Sequence, residues 1–115
     1  MTLEDDVKKV RSLLSNELHF FPANCCKIAV IAMFEKGYAI IGGEILLDNY
    51  DSNGMQKSIP HYWSYDSKSE KNFDITASQF NAYSSYNFPA VLFFRTGEML
   101  MYKPIKTNLE PHNIF

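Results

Sequence analysis

Three side chains in this sequence could do chemistry together: Cys26, His61 and Asp74. A free thiol is a poor nucleophile while protonated, and a helix N-terminus together with a nearby imidazole favours the thiolate. Asn24 is a favoured N-cap, and the segment Cys25–Lys36 that follows reads as a helix stopped by Gly37, so both thiols fall in its first turn. Two runs of strand formers, Ile59–Tyr65 and Asn72–Thr76, flank a polar connection and predict a hairpin in which His61 pairs with Asp74. Directly paired side chains share a face with Cβ atoms roughly 4.5–5.5 Å apart, close enough for the carboxylate to orient the ring and stabilise its charged form. The unpaired N–H groups of a first helical turn are ready donors to an oxyanion. A nucleophile, a base, an orienting acid and an oxyanion hole together define acyl transfer through a thioester, ending on water or an amine.

Other residues have weaker claims. Cys25 adjoins Cys26, and neighbouring cysteines bridge only with a strained backbone, so no structural disulfide is expected. Cys25 reads more simply as a small buried hydrophobe. A zinc site from Cys25 or Cys26 with His61 and Asp74 is chemically conceivable, but the triad uses the same residues without a metal, and none is assigned. Gly42-Gly43 lacks the helix and Lys that a phosphate loop needs and reads as a bulge or a close backbone approach. The polar stretch ending at Asn53-Gly54 is a hairpin turn; the bidentate acid of a calcium loop would fall at Pro60. His19 and His112 have no convincing partners, and Gln79 reads as half of a capping box with Thr76.

The elements that position these residues form an α+β layout: two N-terminal helices packed on a small antiparallel sheet. Leu3, Val7, Val10, Leu14 and Leu18 recur at helical spacing, with Thr2 and Asp5 as a capping box, and predict a covering helix. The second helix is apolar nearly all round, which predicts burial. Strands follow over Tyr38–Leu47, then the His and Asp strands, with Tyr62 and Phe73 on their core-facing side. A short helix begins near Ala77. Ala90–Arg95 and Glu98–Tyr102 read as a second hairpin around Thr96-Gly97, and the chain from Lys103 onward gives no clear element.

With 115 residues the chain is expected to be one domain, spanning 1–115. Aromatic residues make up 15% of it, enough to fill a core at this length. Thirteen acids against eleven bases exclude a nucleic-acid binder that works by bulk positive charge. No apolar stretch suffices for a membrane span, and the acidic start has no apolar leader core, so a cytoplasmic protein is the default expectation; export without a signal sequence would leave no trace.

The run Phe21-Pro22-Ala23-Asn24-Cys25-Cys26 entering a helix, then His61-Tyr62-Trp63, then Phe73-Asp74-Ile75-Thr76-Ala77-Ser78-Gln79-Phe80, resembles the transglutaminase-like branch of the papain-like superfamily of cysteine hydrolases. That branch carries Cys on a helix and His and Asp on successive strands, often as His-x-Trp and Asp-x-Thr. The resemblance covers roughly residues 20–82 and is strongest to small uncharacterised bacterial members. It implies Cys26 as nucleophile, His61 as base and Asp74 as orienting acid, with Asn24, Cys25 and Trp63 bordering the substrate cleft. It also implies a peptidase, deamidase or transglutaminase acting on a protein or peptide without a cofactor, and by analogy an effector or toxin. The alternative is a binding module of the same fold without catalysis, of immunity, adaptor or inhibitor type, using Tyr50, Tyr62, Tyr65, Tyr83 and Tyr86 as a contact patch.

Overall fold

A computed structural model describes residues 2–114. Leu3–Glu17 forms helix α1, started by the reciprocal hydrogen bonds of Thr2 and Asp5 that the sequence predicts. Cys26–Glu35 forms α2. Lys36 caps it, and Gly37 follows at φ +102°, a conformation that costs a residue without Cβ little. The sequence places Asn24 as the N-cap; that role falls instead to Cys25, while Asn24 sits just outside in the left-handed region at φ +56°. Asn is among the residues that tolerate this region best.

Five strands follow: β1 (Ala39–Tyr50), β2 (Gln56–Asp66), β3 (Lys71–Asp74), β4 (Leu92–Phe94) and β5 (Tyr102–Leu109). They make one antiparallel sheet in the order β4-β3-β2-β1-β5. The second hairpin expected from the sequence does not form. A turn exists around Gly97, but β4 pairs with β3 and β5 crosses to the opposite edge of the sheet beside β1. The segment from Lys103, in which the sequence gives no clear element, supplies most of β5. Its side chains are largely exposed, so it carries no apolar alternation to read. Pro104 is tolerated there because β5 is an edge strand.

The Gly42-Gly43 reading holds. The β1–β5 register breaks on both sides of Gly42. A Cβ on Gly43 would run into the Lys103 carbonyl oxygen and, at 2.9 Å, into Trp63.

The sheet carries a core on each face. On one face, Val7, Val10 and Leu14 of α1 and Ala29 and Met33 of α2 bury Phe73 and Ile75, while Val30 meets Ile40, with Tyr62 and Leu109 packed alongside. On the other, Ile41, Ile45, Trp63, Phe94 and Tyr102 are closed over by Ala77, Phe80 and Phe88. The first two of these lie in or beside a 3-10 helix spanning Ala77–Ala82. Tyr62 and Phe73 thus face the helices as expected, but the side bearing His61 is equally interior. Two bonds tie α1 to the rest of the fold: Tyr38 Oη donates to Asp6 Oδ2 (2.5 Å), and Arg11 Nε donates (3.2 Å) to the carbonyl of Ile75, next to Asp74. Among the described residues, no helix is long and apolar enough to cross a membrane.

Candidate active site

His61 and Asp74 meet, though not as the sequence register predicts. The observed β2–β3 pairs are Ser64 with Phe73, Tyr65 with Asn72 and Asp66 with Lys71. The ladder is therefore shifted by two residues from direct 61–74 pairing. A shift of two preserves every face, so the side chains become diagonal neighbours and still reach each other. His61 Nε2 donates to Asp74 Oδ2 at 2.7 Å, with both side chains about 2% exposed.

Asp74 is held by four donors. Oδ2 accepts from His61 Nε2 and from Tyr102 Oη (2.6 Å); Oδ1 accepts from the Thr76 N–H (3.0 Å) and the Thr76 hydroxyl (3.1 Å). The Asp-x-Thr spacing is therefore a local turn in which the carboxylate binds the backbone two residues on. Burial pushes the Asp74 pKa up, but the His61 charge, the His61 hydrogen bond and the Tyr102 and Thr76 donors outweigh it and leave it below the ordinary carboxylate value. For His61, burial alone would lower the pKa; the Asp74 charge and hydrogen bond, with the Cys26 thiol behind them, raise it to about 9.

Beyond Ser64 and Phe73 the β2–β3 ladder stops, and α2 packs against β2. Cys26 there is partly exposed. Burial raises its pKa, yet the His61 hydrogen bond and charge and the Tyr62 backbone N–H prevail and bring it below the ordinary thiol value. Because Nε2 is committed to Asp74, the ring offers Nδ1 to the thiol. The three groups form a line: a reachable sulfur, a buried imidazole and a fully bonded carboxylate.

The residues expected to border the cleft are placed differently. Cys25 is wholly buried, its thiol donates to the Ala23 carbonyl (3.2 Å), and burial, with Cys26 beside it, raises its pKa. It therefore cannot line a cleft or compete as nucleophile. Trp63 is also interior: its ring stacks near His61 with centroids 6.2 Å apart, and Nε1 donates to Asn72 Oδ1 at 3.0 Å. Its place two residues after His61 on the same face makes it packing for the ring, not a wall for substrate. Of these three, Asn24 is the exposed one.

Four residues of the site were hidden from sequence reasoning. Tyr102 lies on a strand whose pairing no local pattern reveals. Thr76 and Gln79 read as a capping box, but the Thr76 hydroxyl turns to Asp74 instead of capping the 3-10 helix. Gln79 then links Thr76 to the loop that precedes Cys26: Nε2 donates to Thr76 Oγ1 (2.9 Å), and Oε1 accepts from the Asn24 N–H (3.3 Å). Lys106 completes a small hollow whose walls include His61 and Tyr62. A larger hollow, about 420 Å³ and lined by Asp48, Gln56, Ser85 and Tyr86 among others, touches none of the three triad residues.

Among the described residues, no three His, Cys, Asp or Glu side chains converge as metal ligands. No family model, no curated protein and no solved structure matches this chain.

Proposed function

We propose that the chain is a cysteine-dependent acyl-transfer enzyme acting on an amide of a protein or peptide, with a papain-like, transglutaminase-like arrangement of Cys26, His61 and Asp74. The observation that carries this reading is the polarised line from a partly exposed, low-pKa thiol through His61 to Asp74. In the first half-reaction the Cys26 sulfur bonds to the carbonyl carbon, and the backbone N–H groups at the start of α2 receive the oxyanion. His61 gives its Nδ1 proton to the departing nitrogen as the C–N bond breaks, leaving a thioester. In the second half-reaction His61 takes a proton from water or an amine, which attacks the thioester and returns Cys26 as thiolate. Asp74 stays ionised throughout and keeps Nε2 protonated.

Alkylation tests this reading. Iodoacetamide at about pH 6, well below an ordinary thiol pKa, should modify Cys26 at least tenfold faster than free cysteine and leave Cys25 untouched. A rate equal to or below that of free cysteine sinks the enzyme reading.

A catalytically silent binding module is the second reading. It is favoured by exposed Tyr50, Tyr83, Tyr86 and Leu100, of which the last two line the larger hollow. Tyr62 and Tyr65 do not join such a patch, since they are half-buried on opposite faces of β2. This reading requires partner binding that Cys26→Ala leaves intact and Tyr83→Ala weakens.

A further inference from the structure

The hollow beside His61 has a chemical character of its own. His61, Tyr62, Ile105, Lys106, Leu109 and Asn113 are among the walls that enclose about 170 Å³. That is below the usual range for a whole small-molecule ligand and suits one residue-sized group. His61 and Tyr62, the two residues that lower the pKa of the Cys26 thiol, are also walls of the hollow, and they connect it to the sulfur. Leu109, Tyr62 and Ile105 supply apolar surface, and Lys106 supplies a cation that, unlike His61, is not tied to Asp74, with the Asn113 amide also on the wall.

The register fixes the reach of that cation. Lys106 pairs with Gly42 and Gly42 pairs with Tyr62, so Lys106 stands two strand spacings from the strand that touches the sulfur, about 9–10 Å, on the face Tyr62 occupies. A lysine side chain covers much of that distance. What remains matches one residue of an extended substrate. Gly42 keeps the floor low: a Cβ there would sit 2.9 Å from Leu109 and 3.0 Å from Tyr62.

We propose that this hollow is a substrate subsite for a carboxylate carried one residue from the amide that Cys26 attacks, with Lys106 as the residue that recognises it. The proposal rests on the acyl-transfer reading and narrows it to acidic substrates. The carboxylate can belong to an acidic side chain or to a chain terminus; both present the same anion to the same ammonium.

Three probes read the subsite directly at the sulfur: iodoacetyl-aspartic acid amide (side-chain carboxylate), iodoacetyl-glycine (terminal carboxylate) and the neutral iodoacetyl-asparagine amide. Rates are compared at about pH 9, where an ordinary thiol also reacts, so the ratio of charged to neutral probe is measurable whether or not Cys26 is activated. At least one charged probe should outpace the neutral one by about threefold, the scale of an exposed ion pair, and the preference should weaken with added salt. The faster charged probe identifies the source of the carboxylate. Lys106→Met should erase the preference, Lys106→Arg should keep it, and Lys68→Met, on a distant loop, should leave it as in the wild type. A preference that is absent, or that survives in Lys106→Met, overturns the subsite. The acyl-transfer reading fails separately, if Cys26 shows no acceleration at about pH 6.

Discussion

Asp74→Asn is the sharpest perturbation of the site, because it removes a charge and almost no volume. Asp74 presents two oxygens to four donors, two on each. Asparagine has one oxygen and one NH₂. Whichever way it turns, the NH₂ confronts either the Thr76 pair or the His61–Tyr102 pair. The unmet buried donors cost about 1–3 kcal/mol, a visible part of the ~5–15 kcal/mol that stabilises a domain. The chemical effect is larger. Burial is the strongest single influence on His61 and lowers its pKa; the Asp74 charge is the leading influence that raises it to about 9. Without that charge, burial is opposed mainly by the Cys26 thiol, and the ring's pKa falls from about 9. At about pH 7.5, where the wild-type ring is charged, its charged fraction then drops. Cys26 loses its charged partner. It also loses the direct repulsion of Asp74, but that is the smallest influence on its pKa, behind the His61 hydrogen bond and charge. The net expectation is a fall of about tenfold or more in iodoacetamide alkylation at pH 7.5, recovered as the pH approaches that of an ordinary thiol. Alkylation rates followed from about pH 5 to 10, beside urea unfolding of both proteins, measure this. A folded Asp74→Asn protein whose alkylation profile overlays the wild type would refute the coupling from acid to ring to sulfur.

The other expectations are simpler to state. Cys25→Ala should cost about 1 kcal/mol in urea unfolding through its lost packing and leave the alkylation profile of Cys26 in place. Gly43→Ala should destabilise by about 1–3 kcal/mol, since the Lys103 backbone and Trp63 must give way; an unchanged urea midpoint would show that β5 does not press on β1 as described. Gln79→Leu removes the bridge between Thr76 and the Asn24 N–H and should slow Cys26 alkylation severalfold while leaving the His61 pKa, read by NMR, near its wild-type value. Stability should also follow pH with a definite sign. The raised His61 pKa contributes stability that is whole below about 6.5 and is lost as pH climbs through about 9; the lowered Asp74 pKa contributes stability that is whole above 3.8 and is lost as pH falls through its folded value. Thermal midpoints should therefore decline on both sides of a mildly acidic plateau, and both declines should shrink in Asp74→Asn.

That Cys26, His61 and Asp74 come together was legible in the sequence because they sit in local contexts with mechanical meaning. An apolar run opened by thiols predicts a buried helix with cysteine at its start. A polar loop between two strand-forming runs predicts a hairpin, and the two-residue period of a strand made the face assignment of His61 and Asp74 robust to a slip of two. The slip itself was not legible: nothing in the connection from Ser67 to Glu70, where Glu70 takes φ +58°, fixes how many residues the turn consumes. What sequence could not supply is long-range pairing. The stretch containing Tyr102 and Lys106 is mostly exposed, so no hydrophobic pattern announces a strand, and its neighbour is set by how closely Gly43 lets another backbone approach. Both Tyr102, which bonds the acid, and Lys106, which lines the hollow, arrive with that strand. Cys25 and Trp63 were misplaced for a related reason. Proximity in sequence to a reactive residue says nothing about which side of the backbone a side chain takes.

The arrangement of polar groups also bears on whether this site is kept for chemistry or for architecture. His61 and Asp74 are an ion pair at the centre of an aromatic cluster, with the Phe80 ring 4.7 Å and the Tyr102 ring 6.2 Å from the imidazole. Desolvating both groups costs several kcal/mol each, and apolar residues of the same volume would commonly be neutral or stabilising there. A module that only needed a firm core would gain by replacing them. What apolar replacements cannot provide is a proton that moves between a buried ring and a sulfur open to solvent. Every donor that surrounds Asp74 stabilises its charge, and that charge is useful only if the ring it holds has something to protonate. The partly exposed sulfur of Cys26 completes that requirement, whereas the neighbouring Cys25, with no such partner, is buried and raised in pKa. The opposite treatment of two adjacent thiols by one fold is the physical argument for assigning the outer one, in the proposed acyl transfer, the role of nucleophile.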